Sequence, residues 1–479
     1  MSKPILQLFN TETKQKEKVY PSNKKYITMY TCGPTVYDFA HIGNFRTYIF
    51  EDLLRRTLLY FGYEIKQVMN ITDVDDKTIK GATKNHISLD EYTKPFKKAF
   101  FEDLKTLNIE KAESYPEATK YVPQMINIIK ALIDKKIAYE KDGSVYFSIS
   151  DFPKYGRLSH LKLDELKQAK RVSSDEYDKE NLSDFVLWKG YDAKRDGDIY
   201  WDSPFGKGRP GWHIECSAMA LKLLGETIDL HCGGVDNIFP QHENEIAQSE
   251  AFTNARFVYH WVHAEHLIVD GKKMSKSLGN FYTLRDLIKR GYSGNVVRYA
   301  LLSVHYRTQL NFTFESLECA KASLQRLRDF ICRLETVEKQ QEDEIASSLV
   351  EKAHDQFITA LADDLNISMA LASLFDLIRE INSLLDDEKI NKQEAEKVLS
   401  FLKEIDAALG CIPFEKECDD IPQEVLKALE QRETARKEKN YKEADRLRDY
   451  ILEHGYQIED SKKGPRLKKM YRKCSSEKK

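Results

Sequence analysis

The chain has 479 residues, of which 41% are hydrophobic and 32% charged, and a net charge of -3. That length exceeds what one core usually serves, so roughly two to four domains are expected. No apolar run approaches the ~20 residues a membrane helix needs, and Met1 to Asn10 lacks a secretory cleavage pattern. The charge balance excludes a globally basic nucleic-acid binder, leaving only a local surface for such a partner, and a cytoplasmic location is expected.

In chain order, Tyr26 to Tyr30 reads as a strand and Thr31 to Asn44 as a turn containing Cys32, Gly33 and His41. A helix is expected from Phe45, where Phe45, Ile49 and Leu53 recur at four-residue spacing, with Gly62 closing it and Tyr63 to Met69 forming the next strand. Together these make a βαβ unit, and Asn70 to Lys77 would lie at the carboxyl edge of its parallel sheet, where ligands bind. A glycine-containing turn that feeds a helix also suits phosphate binding.

From about Leu89 to Arg209 the pattern shifts to helices (Tyr92 to Leu107, Glu117 to Lys136), short strands and a charged stretch, Lys170 to Asn181, read as a solvated loop. The sheet should resume at Trp212. Lys272 to Asn280 forms a basic loop. Beyond Thr313, apolar residues at three- and four-residue spacing over Glu315 to Lys339, Ser347 to Leu365 and Ser368 to Leu385 predict a helical bundle. The chain ends in a basic tail, Ser461 to Lys473, either solubilising or attracted to a phosphate backbone.

The eight cysteines form no C-x-x-C pair, and spacing alone points to reduced thiols. Two distant segments carry more weight: His41-Ile42-Gly43-Asn44 and Lys273-Met274-Ser275-Lys276-Ser277. In this order they resemble the two signatures of class I aminoacyl-tRNA synthetases, with Asn44 where that pattern ends in a second histidine. Cys32 to Tyr37, Asn70 to Lys77, Gly211 to Met219, His231-x-Gly233-Gly234-x-Asp236 and His242 to Gln248 resemble the cysteinyl-tRNA synthetase family. The resemblance continues more weakly in Leu361 to Asn366, Ala435 to Lys437 and Ala444 to Arg448.

The resemblance implies an α/β fold: a Rossmann-like parallel-sheet catalytic domain over 1–310 with an inserted α+β segment at about 89–210. A helical bundle would follow over 311–410, then a small RNA-binding region over 411–479. It implies a monomer that activates L-cysteine with ATP and transfers it to tRNA(Cys). His41, Asn44, Lys273 and Lys276 would be catalytic. Gly43, Gly233, Gly234, Asp236, Met274, Ser275 and Ser277 would join the two lysines around ATP and its Mg2+. Thr72, Trp212 and His231 would contact cysteine. Two other readings are a cysteine ligase of thiol-cofactor biosynthesis and a non-catalytic RNA-binding descendant.

The family also implies one Zn2+ that holds the substrate sulfur, with Cys32, Cys216 and Glu245 at three of its four ligand positions. At the fourth, this chain has Gln241 in place of a histidine. Cys232, where the family has glycine, is the expected substitute; His242, Gln241 itself or loss of the metal are the alternatives.

Overall fold

The computed structural model describes residues 4–23, 25–161, 184–339, 345–414, 422–461 and 464–469. Strands β1 (Gln7–Asn10) and β2 (Gln15–Lys18) form an N-terminal hairpin. Its turn residue Thr11 donates its backbone N–H to Trp261, which stitches the hairpin to the main sheet. That sheet contains β3 (Ile27–Thr31), β4 (Ile65–Met69), β9 (Ile228–Gly234) and β10 (Val258–Ala264), in the order β10-β9-β3-β4 and all parallel. The strand order reverses between β3 and β9, so the crevice beyond their carboxyl ends is the topological switch point, where ligands bind in open α/β sheets.

Helix α1 (Ile42–Tyr60) links β3 to β4 and starts three residues before the position expected from its periodicity. The cause is a capping box. Asn44 N–H donates to His41 Nδ1 at 3.2 Å, and His41 N–H donates to Asn44 Oδ1 at 3.0 Å, satisfying two amides at the helix start. Farther along, Phe45, Ile49, Leu53 and Leu54 are buried against the sheet, each worth about 1.5–3 kcal/mol of burial.

Helices α2 (Asp76–Asn85), α3 (Leu89–Thr106) and α4 (Val122–Asp134) follow β4. An antiparallel sheet, β5 (Ala138–Lys141), β6 (Ser144–Ser148), β7 (Asp184–Gly190) and β8 (Gly208–Pro210), completes the interruption of the parallel order. The chain returns through helix α5 (Trp212–Leu224), β9, helix α6 (Glu243–Thr253) and β10. The expected solvated stretch Lys170 to Asn181 lies outside the described residues.

Strands β11 (Leu267–Val269), β12 (Lys272–Lys273) and β13 (Leu310–Phe312) form a three-stranded sheet that carries the basic loop. Helix α7 (Gly294–Leu302) leads to α8 (Phe314–Glu335), α9 (Ile345–Ala362), α10 (Ile367–Asp386) and α11 (Lys392–Leu409), which pack as a bundle continuous with the core around α1. One buried node joins the two. Arg298 of α7 pairs with Asp52 of α1 and donates to the Leu409 carbonyl at 2.8 Å, while Arg56 meets the same Asp52 oxygen, Oδ2.

Helices α12 (Gln423–Lys437) and α13 (Tyr441–Glu453), with the hairpin β14 (Tyr456–Ser461) and β15 (Gly464–Lys469), have a small core of their own around Val425, Leu447 and Ile451. Part of the expected basic tail is therefore a strand; residues 470–473 lie outside the described residues, as do Cys418 and Cys474. Among the described residues, no helix is long and apolar enough to cross a membrane.

Candidate active site and metal centre

The segment after β3 is tied to the segment after β4. Gly33 N–H donates to Asn70 Oδ1 at 3.0 Å, Thr72 N–H to the Pro34 carbonyl at 3.0 Å, and Val36 N–H to the Thr72 carbonyl at 3.0 Å. A Cβ on Gly33 would stand 1.8 Å from the Asn70 carbonyl oxygen, so only glycine permits this approach. Thr72 is buried and accepts from Asn70 Nδ2 at 3.1 Å. Beside it, Glu215 of α5 is buried with one carboxylate oxygen unpartnered among the described residues; burial pushes its carboxyl well above the usual range. Trp212 begins α5 with its ring 5.3 Å from that of His213.

The two distant signatures meet at the start of α1. His41 forms a bridge with Thr283, and Ile42 N–H donates to the Tyr282 carbonyl at 3.0 Å. Met274 Cε lies 3.3 Å from where a Cβ of Gly43 would stand. Lys276 pairs with Asp38 and lies 5.1 Å from the Phe281 ring centre, while that ring also meets the His41 ring edge-on at 5.2 Å. Lys273 is exposed on β12, and Asn280 braces the loop by accepting from Ser275 N–H at 2.8 Å and donating to the Lys273 carbonyl at 3.2 Å. Ser277 lies with its hydroxyl 2.6 Å from that of Ser275.

Burial lowers the His41 pKa to about 4, with Asp236 and Asp38 opposing and Lys276 assisting. The ring is therefore neutral near pH 7. Because Nδ1 accepts the Asn44 amide, the proton sits on Nε2, leaving that N–H free to donate. Gly234 and Asp236 lie at the carboxyl end of β9, with a Cβ on Gly234 only 2.3 Å from Asp236 Oδ1.

Nearby, Cys32, His231, His242 and Glu245 bring one donor atom each within 4.8 Å of one another, with Cys32 half-buried and the other three buried. Cys32 Sγ is 3.1 Å from His242 Nε2, and His231 Nε2 is 2.8 Å from Glu245 Oε2. A tetrahedral zinc with Zn–N near 2.0 Å and Zn–S near 2.3 Å holds its ligands about 3.3–3.8 Å apart, so a thiolate, a carboxylate and an imidazole of this group suit such an ion once drawn together, whereas Cys216, the expected second thiolate, lies outside the group of four. Cys216 of α5 is buried next to Cys32. Its thiol is the foremost influence raising the Cys32 pKa, followed by burial.

The structure departs from expectation at Cys232. Side chains alternate along a strand. The row Tyr30–His231–Trp261 faces the donor group; the next row, Thr31–Cys232–Val262, faces the other way. Cys232 is thus fully buried in the core with Met29 and Val262, and burial foremost, with Glu51 of α1 second, pushes its thiol well up. It is not brought to Cys32 and Glu245. Gln241 does come close, but as a hydrogen-bonding partner: its Nε2 donates to Glu245 Oε1 at 3.0 Å and its Oε1 pairs with His213 Nδ1.

Several contributors were not singled out from the sequence. Asp38 meets Lys276, and His263 joins His242 to Thr11 through contacts of 2.8 and 2.7 Å. Only the shared face of alternating positions His231, Gly233, Trp261 and His263 could have hinted at the latter.

Three family descriptions match the chain: the class I (C) tRNA synthetase catalytic domain over residues 18–322, the DALR domain over 356–413, and the cysteinyl-tRNA ligase anticodon binding domain over 419–465. The cysteine–tRNA ligase of Protochlamydia amoebophila (strain UWE25) is 60% identical over 467 residues, covering 97% of this chain and 98% of that protein. The cysteine–tRNA ligase of Chlamydia muridarum (strain MoPn / Nigg) is 58% identical over 476 residues, covering 97% and 99%. Among solved structures, Mycobacterium tuberculosis methionyl-tRNA synthetase in complex with methionyl-adenylate aligns with a TM-score of 0.57 over 81% of this chain and 92% of that one. At 13% identity this likeness concerns the fold.

Proposed function

The chain belongs to the cysteine–tRNA ligase family of class I aminoacyl-tRNA synthetases, and from that premise we infer how its site works. L-Cysteine and ATP bind side by side at the carboxyl edge of the sheet. The cysteine carboxylate attacks the α-phosphorus of ATP, forming an oxygen–phosphorus bond as the bond to the departing pyrophosphate breaks. The 3′-terminal adenosine of tRNA(Cys) then takes the cysteinyl group and AMP leaves.

The observation that carries this reading is the convergence of His41 and the Lys273–Ser277 loop at the start of α1, in a chain whose strand β9 supplies His231 to the Cys/His/Glu group. Neutral His41 offers its Nε2–H to a phosphate oxygen. Lys273 and Lys276 oppose the charge that grows on the pyrophosphate as it departs, and Mg2+ accompanies ATP. Asn44 acts through His41, since it holds the imidazole by the capping box. Gly43, Met274, Ser275 and Ser277 shape the nucleotide surface, Gly233 and Gly234 allow close backbone approach, and the Asp236 carboxylate can accept ribose hydroxyls. Thr72, Trp212 and His231 border the amino-acid pocket.

Cys32, Cys216 and Glu245, with a nitrogen ligand, would hold zinc. When bound, zinc supplies a soft acceptor for the substrate sulfur, which a serine hydroxyl imitates poorly, and this discriminates between amino acids differing by one atom. The C-terminal helices and β14–β15 hairpin would carry the anticodon end of the tRNA.

Cysteine-dependent ATP–pyrophosphate exchange, followed by charging of tRNA(Cys), tests the reading. Cysteine should support exchange and serine should not. Exchange with equal efficiency for both, or none with cysteine, would overturn it.

A further inference from the structure

Resting on the reading that this group holds zinc, we propose that His242 is its nitrogen ligand, kept in register by a His263–Thr11 relay, and that Gln241 positions Glu245 without binding the metal. Gln241 has both amide atoms engaged, Nε2 with Glu245 Oε1 and Oε1 with His213 Nδ1, so neither is directed at a metal. An amide is also a poor match for zinc beside thiolate and imidazole donors.

His242 has the opposite arrangement. Its Nε2 belongs to the donor group, 3.1 Å from Cys32 Sγ, and its Nδ1 lies 2.8 Å from His263 Nε2. His263 Nδ1 in turn lies 2.7 Å from Thr11 Oγ1. A ligating imidazole characteristically donates its other N–H to a second group, which fixes the tautomer. Here His242 Nδ1–H donates to His263 Nε2, and His263 Nδ1–H donates to the Thr11 hydroxyl. That leaves the His242 Nε2 lone pair for the metal. Since the hydroxyl can also donate, the chain of bonds can run in reverse when His242 Nε2–H instead faces the Cys32 sulfur.

Gly233 supports the assignment sterically. A Cβ there would stand 2.8 Å from His242 Cε1, so the ring occupies space that only glycine leaves open. His231 is the competing nitrogen, but its Nε2 is engaged by Glu245 and its buried Nδ1 has no partner among the described residues. It lacks the second hydrogen bond that steadies a ligand. With Gln241 on Oε1 and His231 on Oε2, Glu245 is held from both sides and keeps a lone pair for the metal.

The full-length protein should be loaded with zinc, equilibrated against a graded chelator and assayed for bound metal; loading with Co2+ then reports the ligand set by absorption. Wild type should retain one equivalent. His242→Ala should weaken binding at least 100-fold and alter the cobalt bands, His263→Ala should weaken it about 10- to 100-fold, Gln241→Ala should weaken it about 10-fold with the cobalt bands unchanged, and Cys232→Ala should keep zinc within severalfold of wild type. Should His242→Ala fold poorly by circular dichroism, 113Cd-loaded wild type labelled with 15N-histidine decides. Scalar coupling to one imidazole Nε2 whose Nδ1 is protonated supports the assignment. Coupling to no imidazole, or to one with an unpartnered Nδ1, overturns it. Wild-type zinc affinity in folded His242→Ala overturns it as well. Cysteine-dependent exchange on the same wild-type preparation tests the functional reading separately: exchange can succeed while the ligand assignment fails, and absent exchange with zinc bound rejects the function alone.

Discussion

Lys276 and Asp38, 238 positions apart in sequence, meet as an ion pair over the start of α1. The carboxylate occupies the lysine that, in the proposed reaction, must turn to the phosphates of ATP. Substrate binding therefore competes with Asp38 for the same ammonium group. Lys276 is well exposed and Asp38 half-buried, and such surface pairs are worth at most about 1 kcal/mol. Asp38→Asn is accordingly expected to lower KM for ATP by up to about fivefold at low salt, with the advantage shrinking as salt rises, while Lys276→Ala lowers kcat by about 100-fold or more. Pyrophosphate-exchange kinetics across a salt series check both, and a raised KM in Asp38→Asn would reverse the assignment of Asp38 as a competitor.

His41 makes the acid side of the stability curve informative. Its folded pKa of about 4 lies below the ordinary value of 6.5, chiefly through burial, with Asp236 and Asp38 raising it and Lys276 lowering it. Between these values the unfolded chain binds a proton that the folded chain excludes. Stability therefore rises with pH through this window and is lost on acidification, by up to about 3 kcal/mol. His41→Asn retains a capping side chain without that titration, so its melting temperature should fall less steeply than that of wild type from pH 6.5 to 4.5. Parallel melting curves would contradict the burial of a neutral imidazole.

Gly33 should tolerate no side chain. A methyl group 1.8 Å from the Asn70 carbonyl must separate the segments after β3 and β4, and with them Cys32 and Thr72. Gly33→Ala is expected to destabilise the fold by about 1–3 kcal/mol and to reduce cysteine-dependent exchange by at least tenfold, because misplacement of about 1 Å costs that much in a positioned reaction. Chemical denaturation and exchange rates measure the two effects; wild-type values in both would show that the loops can part without consequence.

The C-terminal region packs around its own small core, separate from those of the sheet and bundle. Deleting residues 421–479 should therefore leave exchange within about twofold of wild type while aminoacylation of tRNA(Cys) falls by at least 100-fold. The small core supports independence of folding, and the large loss reflects the charged and hydrogen-bonded contacts to RNA that would be removed. An equal decline in both activities would contradict this division of labour.

The βαβ unit and the bundle helices were legible because each obeys a short-range period. Phe45, Ile49 and Leu53 announce α1 from spacing alone, although its start required the reciprocal bonds of His41 and Asn44. The two nucleotide signatures were legible as short segments, and their resemblance to a family supplied the expectation that they converge.

The sequence by itself determined the type of each element and which residue types were available for metal and phosphate chemistry, since these follow from local periodicity and side-chain chemistry. Only the tertiary structure decided which donors share a site. Cys232 and His231 are neighbours in sequence, yet the pleat sends them to opposite faces of β9, one into the core beneath α1 and the other toward Glu245. Gln241 and His242 are likewise adjacent, and the turn into α6 gives one to Glu245 and His213 and the other to Cys32 and His263. Long-range packing fixes these orientations, and spacing along the chain carries no record of them.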